Sequence, residues 1–348
     1  MNSYVRPLSP LILFAALAFA QQSGAQTSVA TNPVGYVQET LTPSTNGTQR
    51  AWSAVSFPLH QVPVFVGLVA STSSNTITLS GTIPAGLTGT APYMVHVEAS
   101  ANSVATGQSF LITASSSNSV TVSSPTFSVA SILTTNDQVA IRGAETLGSV
   151  FGSSNSTVML QGGSSAGGSD LVYIWNGSTW SSYYYYTSYG WVQDGDASYT
   201  IQNNMPIYPD EGMLVARIST STLPVSYAMS MGTVPTNAQT ALVNAPGFTF
   251  VSNPLPLSLT LSSFGFTNSP SWLEGSSAGG SDLVYLWTGS QWQDYYYYSG
   301  YGWVQDGDAS YTLQTNLPIP AGSAAMVYRR DTVTGANAYI PTALTYTP

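Results

Sequence analysis

The strongest constraint on the fold of this chain is an internal repeat. Residues 164–217 align without a gap on residues 276–329, and 36 of the 54 aligned positions are identical. The first copy contains SSAGGSDLVYIWNGSTWSSYYYYTSYGWVQDGDASYT, and the second contains SSAGGSDLVYLWTGSQWQDYYYYSGYGWVQDGDASYT. Self-similarity on this scale predicts two equivalent modules in one chain.

Weaker matches extend the repeat upstream. VSFPL at 55–59 corresponds to VSNPL at 251–255, and TLGSV at 146–150 corresponds to TLSSF at 260–264. These segments lie far apart only in the first copy, which predicts an insertion over residues 60–145. Short β-branched runs separated by Ser, Asn and Gly clusters predict strands there.

No stretch of the mature chain shows a convincing helical period. We therefore expect an all-β fold of tandem β-sandwich-like modules, with a small β-barrel or sandwich inserted in the first. The expected organisation is a signal peptide at 1–25, N-terminal strands of the first module at 26–59, the inserted domain at 60–145, the first repeat module at 146–235 and the second at 240–348.

Asn176-Gly177 lies between two aromatic runs and predicts a two-residue hairpin turn. That turn would set Trp175 opposite Ser178 and Tyr173 opposite Trp180. Since side chains alternate along a strand, residues 173, 175, 180, 184 and 186 should share one face, and residues 172, 174, 183 and 185 the other. A second hairpin at Asp194-Gly195 would set Trp191 opposite Ser198.

The aromatic face is consistent with three roles. Its rings could pair across strands within the sheet, contact another subunit or matrix, or stack on sugar rings. The candidate ligand-binding residues for sugar stacking are Tyr173, Trp175, Trp180, Trp191, Tyr285, Trp287, Trp292 and Trp303.

Carboxylates recur in both copies as Asp194 and Asp196, then Asp306 and Asp308. The Asp-x-Asp-x-Ser pattern resembles the start of a calcium loop, so these four are weak calcium candidates. The EF-hand pattern requires Gly at position 6 and Glu at position 12, where this chain has other residues in both copies. The favoured interpretation is a hairpin turn with a solvated Asp196, and no cofactor is expected.

Signals for catalysis are weak. A glycoside hydrolase needs two carboxylates flanking one bond, and Asp170 with Asp194 or Asp196 is the candidate set. The two histidines, His60 and His96, precede the repeats in apolar surroundings and are expected to be structural. There is no Gly-x-Ser-x-Gly motif for a hydrolase nucleophile. We therefore expect a non-enzymatic protein.

The chain has six Lys and Arg residues against 15 acidic ones, for a formal net charge of −9. Phosphate backbones require clusters of basic residues, so nucleic-acid binding is excluded. Only 6% of residues are charged, whereas 43% are hydrophobic. This balance predicts a polar but uncharged surface over a substantial core.

The N-terminus predicts export. An apolar stretch over residues 8–20 follows Arg6, and small residues at 23–25 favour cleavage after Ala25. We expect no transmembrane anchor after cleavage and a location in the periplasm, on the outer surface or outside the cell. The chain has no cysteine, so its stability must come from its core rather than from disulfides.

NPVGY at 32–36, VSFPL at 55–59 and the LVYIWNG hairpin at 171–177 resemble an uncharacterised group of exported β-rich proteins common in Verrucomicrobia. PLP at 254–256, LVYLWTG at 283–289 and PIPAG at 318–322 resemble a β module of bacterial surface proteins. The resemblance implies an exported β architecture and supplies no catalytic residues. The two copies are closer to each other than such modules need be.

Together these features predict an exported, non-enzymatic surface or extracellular-matrix protein. Its expected partners are its own kind, the cell envelope, the matrix or a polysaccharide. Unblocked strand edges make self-association a physical expectation, because few charges are available to protect them. The main alternative is a carbohydrate-binding protein, and a glycoside hydrolase is the least favoured class.

Overall fold

The computed structural model describes residues 33–45, 49–123, 128–218, 226–235, 237–269, 271–330 and 335–339, and these ranges are nearly all β. The predicted signal peptide and its cleavage site lie outside the described residues. Within the described residues, no helix has the length and apolar character needed to cross a membrane.

The described part of the chain begins with strands β1 (Val34–Leu41) and β2 (Ala51–Val55). The inserted segment contains β3 (Pro63–Ser73), β4 (Thr76–Leu79), β5 (Tyr93–Ala99), β6 (Ser109–Ser115), β7 (Ser119–Val122) and β8 (Gln138–Gly143). The first module continues with β9 (Glu145–Thr146), α1 (Leu147–Phe151), β10 (Leu171–Trp175), β11 (Trp180–Tyr186), β12 (Gly190–Gln193), β13 (Pro206–Ile207), β14 (Met213–Arg217) and β15 (Ser226–Thr233).

The second module contains β16 (Ala241–Ala245), β17 (Gly247–Ser252), β18 (Leu259–Thr260), β19 (Leu283–Trp287), β20 (Trp292–Tyr298), β21 (Gly302–Gln305), β22 (Pro318–Ile319), β23 (Ala324–Arg329) and β24 (Gly335–Tyr339). Short 3-10 helices lie at Val129–Ser131, Ala166–Gly168, Phe266–Asn268 and Ala278–Gly280.

The two modules have the same sheet topology. The first has a five-stranded sheet in the order β12-β11-β10-β14-β2, and the second has β21-β20-β19-β23-β17. Each also has two small antiparallel pairs, β1–β15 and β9–β13 in the first, β16–β24 and β18–β22 in the second. This arrangement confirms the predicted all-β fold of tandem modules.

The inserted segment closes into a six-stranded barrel in the order β3-β4-β7-β6-β5-β8. Its alternating strands turn aliphatic side chains inward, including those of Ile77, Val95, Val97, Val120 and Val139, all fully buried. Closure pairs every strand on both sides and so leaves no free sheet edge. Of the two predicted forms of the insertion, the structure has the barrel.

The predicted register of the first hairpin is wrong by two residues. Trp175 pairs with Trp180, so the connection has four residues rather than two. The Asn176 side chain explains the longer loop, because its Oδ1 accepts hydrogen bonds from the main-chain N–H groups of Ser178 and Thr179. A shift of two residues preserves the faces of the strand, so the predicted division of side chains between the faces still holds.

The second predicted hairpin is also longer than expected. Val192 forms a bridge with Ile201, and the Gln202 N–H donates to the Trp191 carbonyl. Trp191 therefore does not lie opposite Ser198. The extra residues form a turn around Asp196, described below.

Each module has a buried ion pair at the same place. Arg217 at the end of β14 lies 3.1 Å from the Asp170 carboxylate, and Arg329 at the end of β23 lies 2.7 Å from Asp282. Both carboxylates also accept main-chain hydrogen bonds, Asp170 from Gln161 and Ile218. A buried charge needs such a complete set of partners to be tolerated. Asp170 is consequently a structural residue and is not available to flank a glycosidic bond.

Candidate functional site

The eight predicted ligand-binding residues fall into two structural groups. Trp191 and Trp303 are 0% and 1% exposed and lie in the two module cores. They pair across the sheet with Tyr185 and Tyr297, on the face opposite the expected aromatic face. A ring without accessible surface cannot stack on a sugar, so their assignment as ligand-binding residues is wrong.

The other six candidates are partly buried where the two modules contact each other or border that contact. The Trp175 indole N–H donates to the Phe248 carbonyl of the second module at 3.0 Å. Reciprocally, the Trp287 indole N–H donates to the Trp52 carbonyl of the first at 2.9 Å. Because residues 175 and 287 are equivalent in the repeat, the contact is isologous, as in a twofold dimer.

Aromatic packing and main-chain pairing complete this contact. The Phe250 ring lies 5.3 Å from that of Trp180 and 6.0 Å from that of Trp292, measured between centroids. Val55 at the end of β2 bridges to Ser323, and Val251 in β17 bridges to Glu211. The modules therefore cover part of each other's edge strands, and the remaining candidates, Tyr173 and Tyr285, border this covered region.

The accessible aromatic surface lies elsewhere, in a tyrosine cluster that occurs once in each module. In the first module the Tyr186 ring lies 5.8 Å from Tyr189 and 5.3 Å from Tyr199. In the second, the Tyr298 ring lies 5.9 Å from Tyr301 and 5.5 Å from Tyr311. We call these the first and second tyrosine clusters.

The outer rings of both clusters are exposed to a similar degree. Tyr189 and Tyr199 are 51% and 44% exposed, and Tyr301 and Tyr311 are 53% and 45% exposed. Tyrosine is often partly exposed on protein surfaces, so the informative feature is the gathering of three rings at one place in each module. The four outer positions lie in a run, residues 189–200 and 301–312, that is identical in the two copies.

A turn capped by a carboxylate holds one ring of each cluster in place. The two Asp196 oxygens accept hydrogen bonds from the Ser198 and Thr200 N–H groups, and Asp308 does the same for Ser310 and Thr312. These bonds lower the pKa of Asp196. Beyond each cap, Tyr199 and Tyr311 have φ of +50°, a left-handed conformation that is uncommon for a side chain of this size.

The structure thus places the four calcium candidates in two turns. Asp196 and Asp308 organise their own main chain, while Asp194 and Asp306 are exposed, with their N–H groups donating to Ser182 and Asp294 of the neighbouring strand. Among the described residues, no group of three or more His, Asp or Glu side chains converges as a metal site would require.

The arginines restrict the charge of a ligand. All five that fall within the described ranges bind main-chain carbonyls or carboxylates, and all are buried or partly buried: Arg50, Arg142, Arg217, Arg329 and Arg330. With no lysine in the chain, the described surface offers no cluster of cations to an anionic ligand. A partner of the tyrosine clusters is therefore expected to be uncharged or cationic.

His60 and His96 lie at the junction of the barrel with the first module, with ring centroids 4.2 Å apart. His96 Nδ1 is 3.0 Å from the Ser109 hydroxyl. Burial, followed by the nearby Arg142 guanidinium, lowers the pKa of His96 to about 3. Burial also lowers the pKa of His60, to which His96 and Arg142 contribute.

Acid should destabilise the protein through this pair. The unfolded His96 has a pKa of 6.5 and the folded one about 3, so between these values only the unfolded chain binds the proton. The free energy of unfolding should fall as the pH drops from 6.5 towards 3. We expect His96→Gln to flatten this part of a plot of melting temperature against pH. An unchanged slope in that variant would contradict the assignment.

Raising the pH should destabilise the protein through acidic residues at the contact between the two modules. Burial, with a contribution from Asp210, raises the pKa of Glu211 from 4.5 to about 8. Between these values the folded protein binds a proton that the unfolded chain does not, so stability falls as the pH rises from 4.5 to 8. Glu211→Gln should raise the melting temperature at pH 8 but not at pH 4.5, whereas Glu274→Gln at an exposed position should change neither.

The sequence did contain a signal for the tyrosine clusters. Residues 189 and 199 are tyrosine in both copies, within the run 189–200 that recurs unchanged as 301–312. Comparisons with protein-family models, with curated proteins and with solved structures gave no match.

Proposed function

We propose that this chain is an exported, non-enzymatic protein of the cell surface or extracellular matrix, which contacts its partner through the two tyrosine clusters. The observation that carries the proposal is the repetition of the same exposed rings at equivalent positions in both modules. A Tyr ring has an apolar body and a polar tip, which suits it to interfaces that are partly wet. A catalytic centre would have no need of two copies.

The interlocked modules support this function. The contact between the modules has one indole hydrogen bond in each direction and aromatic packing between them. The two clusters are therefore held within one unit. Two linked sites strengthen the binding of a repeating partner, such as an envelope polymer or a matrix fibre, without any new contact.

The proposal is tested by retention on envelope and matrix fractions from cells that produce the protein. We expect the purified mature chain to bind saturably. Replacing the four outer rings with Tyr189→Asn, Tyr199→Asn, Tyr301→Asn and Tyr311→Asn should weaken retention by at least about tenfold. Asn is chosen because it tolerates the left-handed conformation of residues 199 and 311.

Val64→Asn is the control, because Val64 is 46% exposed in the barrel strand β3 and lies outside both clusters and the β1–β15 ribbon. This variant should be retained like the original protein. Substitution in one cluster alone should give an intermediate loss. Equal retention of the four-residue variant and the original protein would refute the proposal.

Self-association is the second contact that the proposal includes. The ribbon β1–β15 is a two-stranded sheet with exposed Val34, Tyr36 and Met231. The test is sedimentation of the purified protein at increasing concentration. If Tyr36→Asn abolishes self-association but leaves envelope retention unchanged, the ribbon makes the contact between copies and the clusters contact the external partner.

Carbohydrate binding is the second candidate function. It is favoured by the grouping of exposed tyrosine rings on a described surface without available cations. Aromatic faces can cover the apolar side of a pyranose, while carboxylates and hydroxyls accept and donate hydrogen bonds to its hydroxyls. The residues that carry this candidate are the tyrosine clusters rather than the eight residues predicted from the strand pattern.

A further inference from the structure

A cleft of about 450 Å³ lies between the barrel and the first module. One wall is the barrel segment with Ala91 and Pro92. The other consists of the start of α1 and the turn at residues 201–204. Its volume falls within the range of small-molecule sites in proteins.

Hydrogen bonds hold the two walls in place. The Asn204 amide donates to the Thr90 carbonyl across the cleft. On the barrel side, the Ala144 N–H donates to the Pro92 carbonyl at 2.9 Å. The Gly148 N–H donates to the Asn203 carbonyl at 2.8 Å, and a Cβ at residue 148 would lie only 2.8 Å from that oxygen. Because these bonds already fix the walls, the cleft should lose little conformational entropy when a ligand binds.

The lining is rich in hydroxyls and amides. Its polar side chains are those of Thr146, Ser149, Ser153, Asn203 and Asn204. Apolar surface comes from Pro92 and from Ile201, which is 51% exposed. Among the described residues that line the cleft, none has an ionisable side chain. Some of these groups already have partners within the chain: Ser149 Oγ donates to the Glu145 carboxylate, and Asn203 Oδ1 accepts from the Trp191 N–H. The lining itself carries no charge, and its hydroxyls, amides and apolar surface suit a ligand with many hydroxyl groups and apolar ring faces.

The cleft and the first tyrosine cluster are linked through the segment at residues 199–201. Ile201 lies on the cleft lining and follows Tyr199 by two residues in the capped turn. We infer that the cleft and this cluster together bind a neutral oligosaccharide, whose pyranose units are hydrogen-bonded in the cleft and packed against Tyr199 and Tyr189 outside it. This inference rests on the proposed contact function of the clusters and adds the class of ligand.

Within the described residues, the barrel wall of this cleft has no counterpart at the second module. The second module carries Thr260, Leu313, Thr315 and Asn316 at the corresponding positions, but the barrel that supplies the Pro92 wall is inserted only in the first. The barrel thus converts one of two similar surfaces into a two-walled cleft.

The inference is tested by calorimetric titration of the full mature chain with soluble oligosaccharides. The neutral probes are β-1,3-glucan, β-1,4-glucan, α-mannan and β-galactan fragments; oligogalacturonate is the anionic probe and oligoglucosamine the cationic one. We expect one or more neutral probes to bind and oligogalacturonate not to bind. Binding of none of the neutral probes, or binding of only a charged one, would overturn the inference.

Two pairs of variants locate the site. Ser153→Trp should fill the cleft and weaken binding by at least about tenfold, whereas Ser156→Trp, in the same exposed loop but outside the lining, should not. Ile201→Ser should weaken binding, whereas Leu313→Ser at the equivalent exposed position should not. Since all four positions are exposed, folding should be preserved, and melting temperatures check this.

The outcomes separate this inference from the proposed function. If Ser153→Trp and Ile201→Ser leave oligosaccharide affinity unchanged, the cleft is not the site, and the inference is overturned whatever the clusters do. If oligosaccharides fail to bind while envelope retention still depends on the tyrosines, the proposed function stands and the ligand class is wrong. Loss of affinity in both cleft variants, with both controls unaffected, supports the inference.

Discussion

Asp282→Asn should lower the free energy of unfolding by about 3–5 kcal/mol, as expected when one partner of a buried ion pair is removed. The Arg329 guanidinium would stay charged and completely buried without its counter-charge. The substituted amide would also be a poorer acceptor for the main-chain N–H groups of Leu273 and Arg330, which both donate to Asp282 at 2.9 Å. Chemical denaturation followed by circular dichroism measures the change.

The repeat offers matched controls. Asp170→Asn should cause a loss of similar size, because Asp170 has the equivalent partners: the Arg217 guanidinium and the main-chain N–H groups of Gln161 and Ile218. Asp306→Asn, on an exposed carboxylate, should stay within about 0.5 kcal/mol of the original protein. If both aspartate variants lower the free energy of unfolding by less than about 1 kcal/mol, the two buried ion pairs do not stabilise the fold as expected.

Trp191→Ala should lower the free energy of unfolding by about 3–5 kcal/mol, the usual range for emptying a core site of this size. The Trp191 ring packs between Phe151 and Tyr185, with centroids 5.8 and 6.0 Å away. Its indole N–H donates to the Gly152 carbonyl at 2.7 Å, an acceptor that would lose its partner. Thermal and denaturant unfolding measure the loss.

This variant also separates the core role from a binding role. At a temperature where it is still folded, Trp191→Ala should keep the oligosaccharide affinity and envelope retention of the original protein. Tyr189→Ala should show the reverse, with stability within about 0.5 kcal/mol of the original and weaker retention. Lost retention with full stability in Trp191→Ala would contradict the buried position of this ring.

The position of the strand tryptophans bears on which aromatic residues can contact a partner. Trp175, Trp180, Trp287 and Trp292 lie at the contact between the two modules. These strand aromatics have partners inside the chain, whereas the outer rings of the two tyrosine clusters stay about half exposed.

Much of the fold could be predicted from the chain alone. The repeat indicated two equivalent modules, and period-2 alternation assigned Val172, Ile174, Tyr183 and Tyr185 correctly to one face, which is the buried one. The hairpin register failed because Asn176 can cap a four-residue loop as well as occupy a two-residue turn. Nothing local distinguishes these outcomes, since both leave the alternation intact.

The arginines show a limit of the repeat itself. Arg50, just before β2, donates to the Ala166 and Ser169 carbonyls, while in the second module the equivalent carbonyls of Ala278 and Ser281 are bound by Arg330, just after β23. The same carbonyls are satisfied by guanidinium groups from different strands. An alignment of the copies cannot reveal this, because the two arginines are not equivalent in sequence.

The sequence by itself determined the all-β class, the duplication, the inserted segment and the apolar face of each strand, because these depend on local alternation and on self-similarity. Only the tertiary structure decided which aromatic faces are covered, where the exposed tyrosines gather and where a cleft opens beside the barrel. The physical reason is that alternation records that a face is apolar but not what lies against it. That depends on segments far away in the chain, such as Phe250 against Trp180.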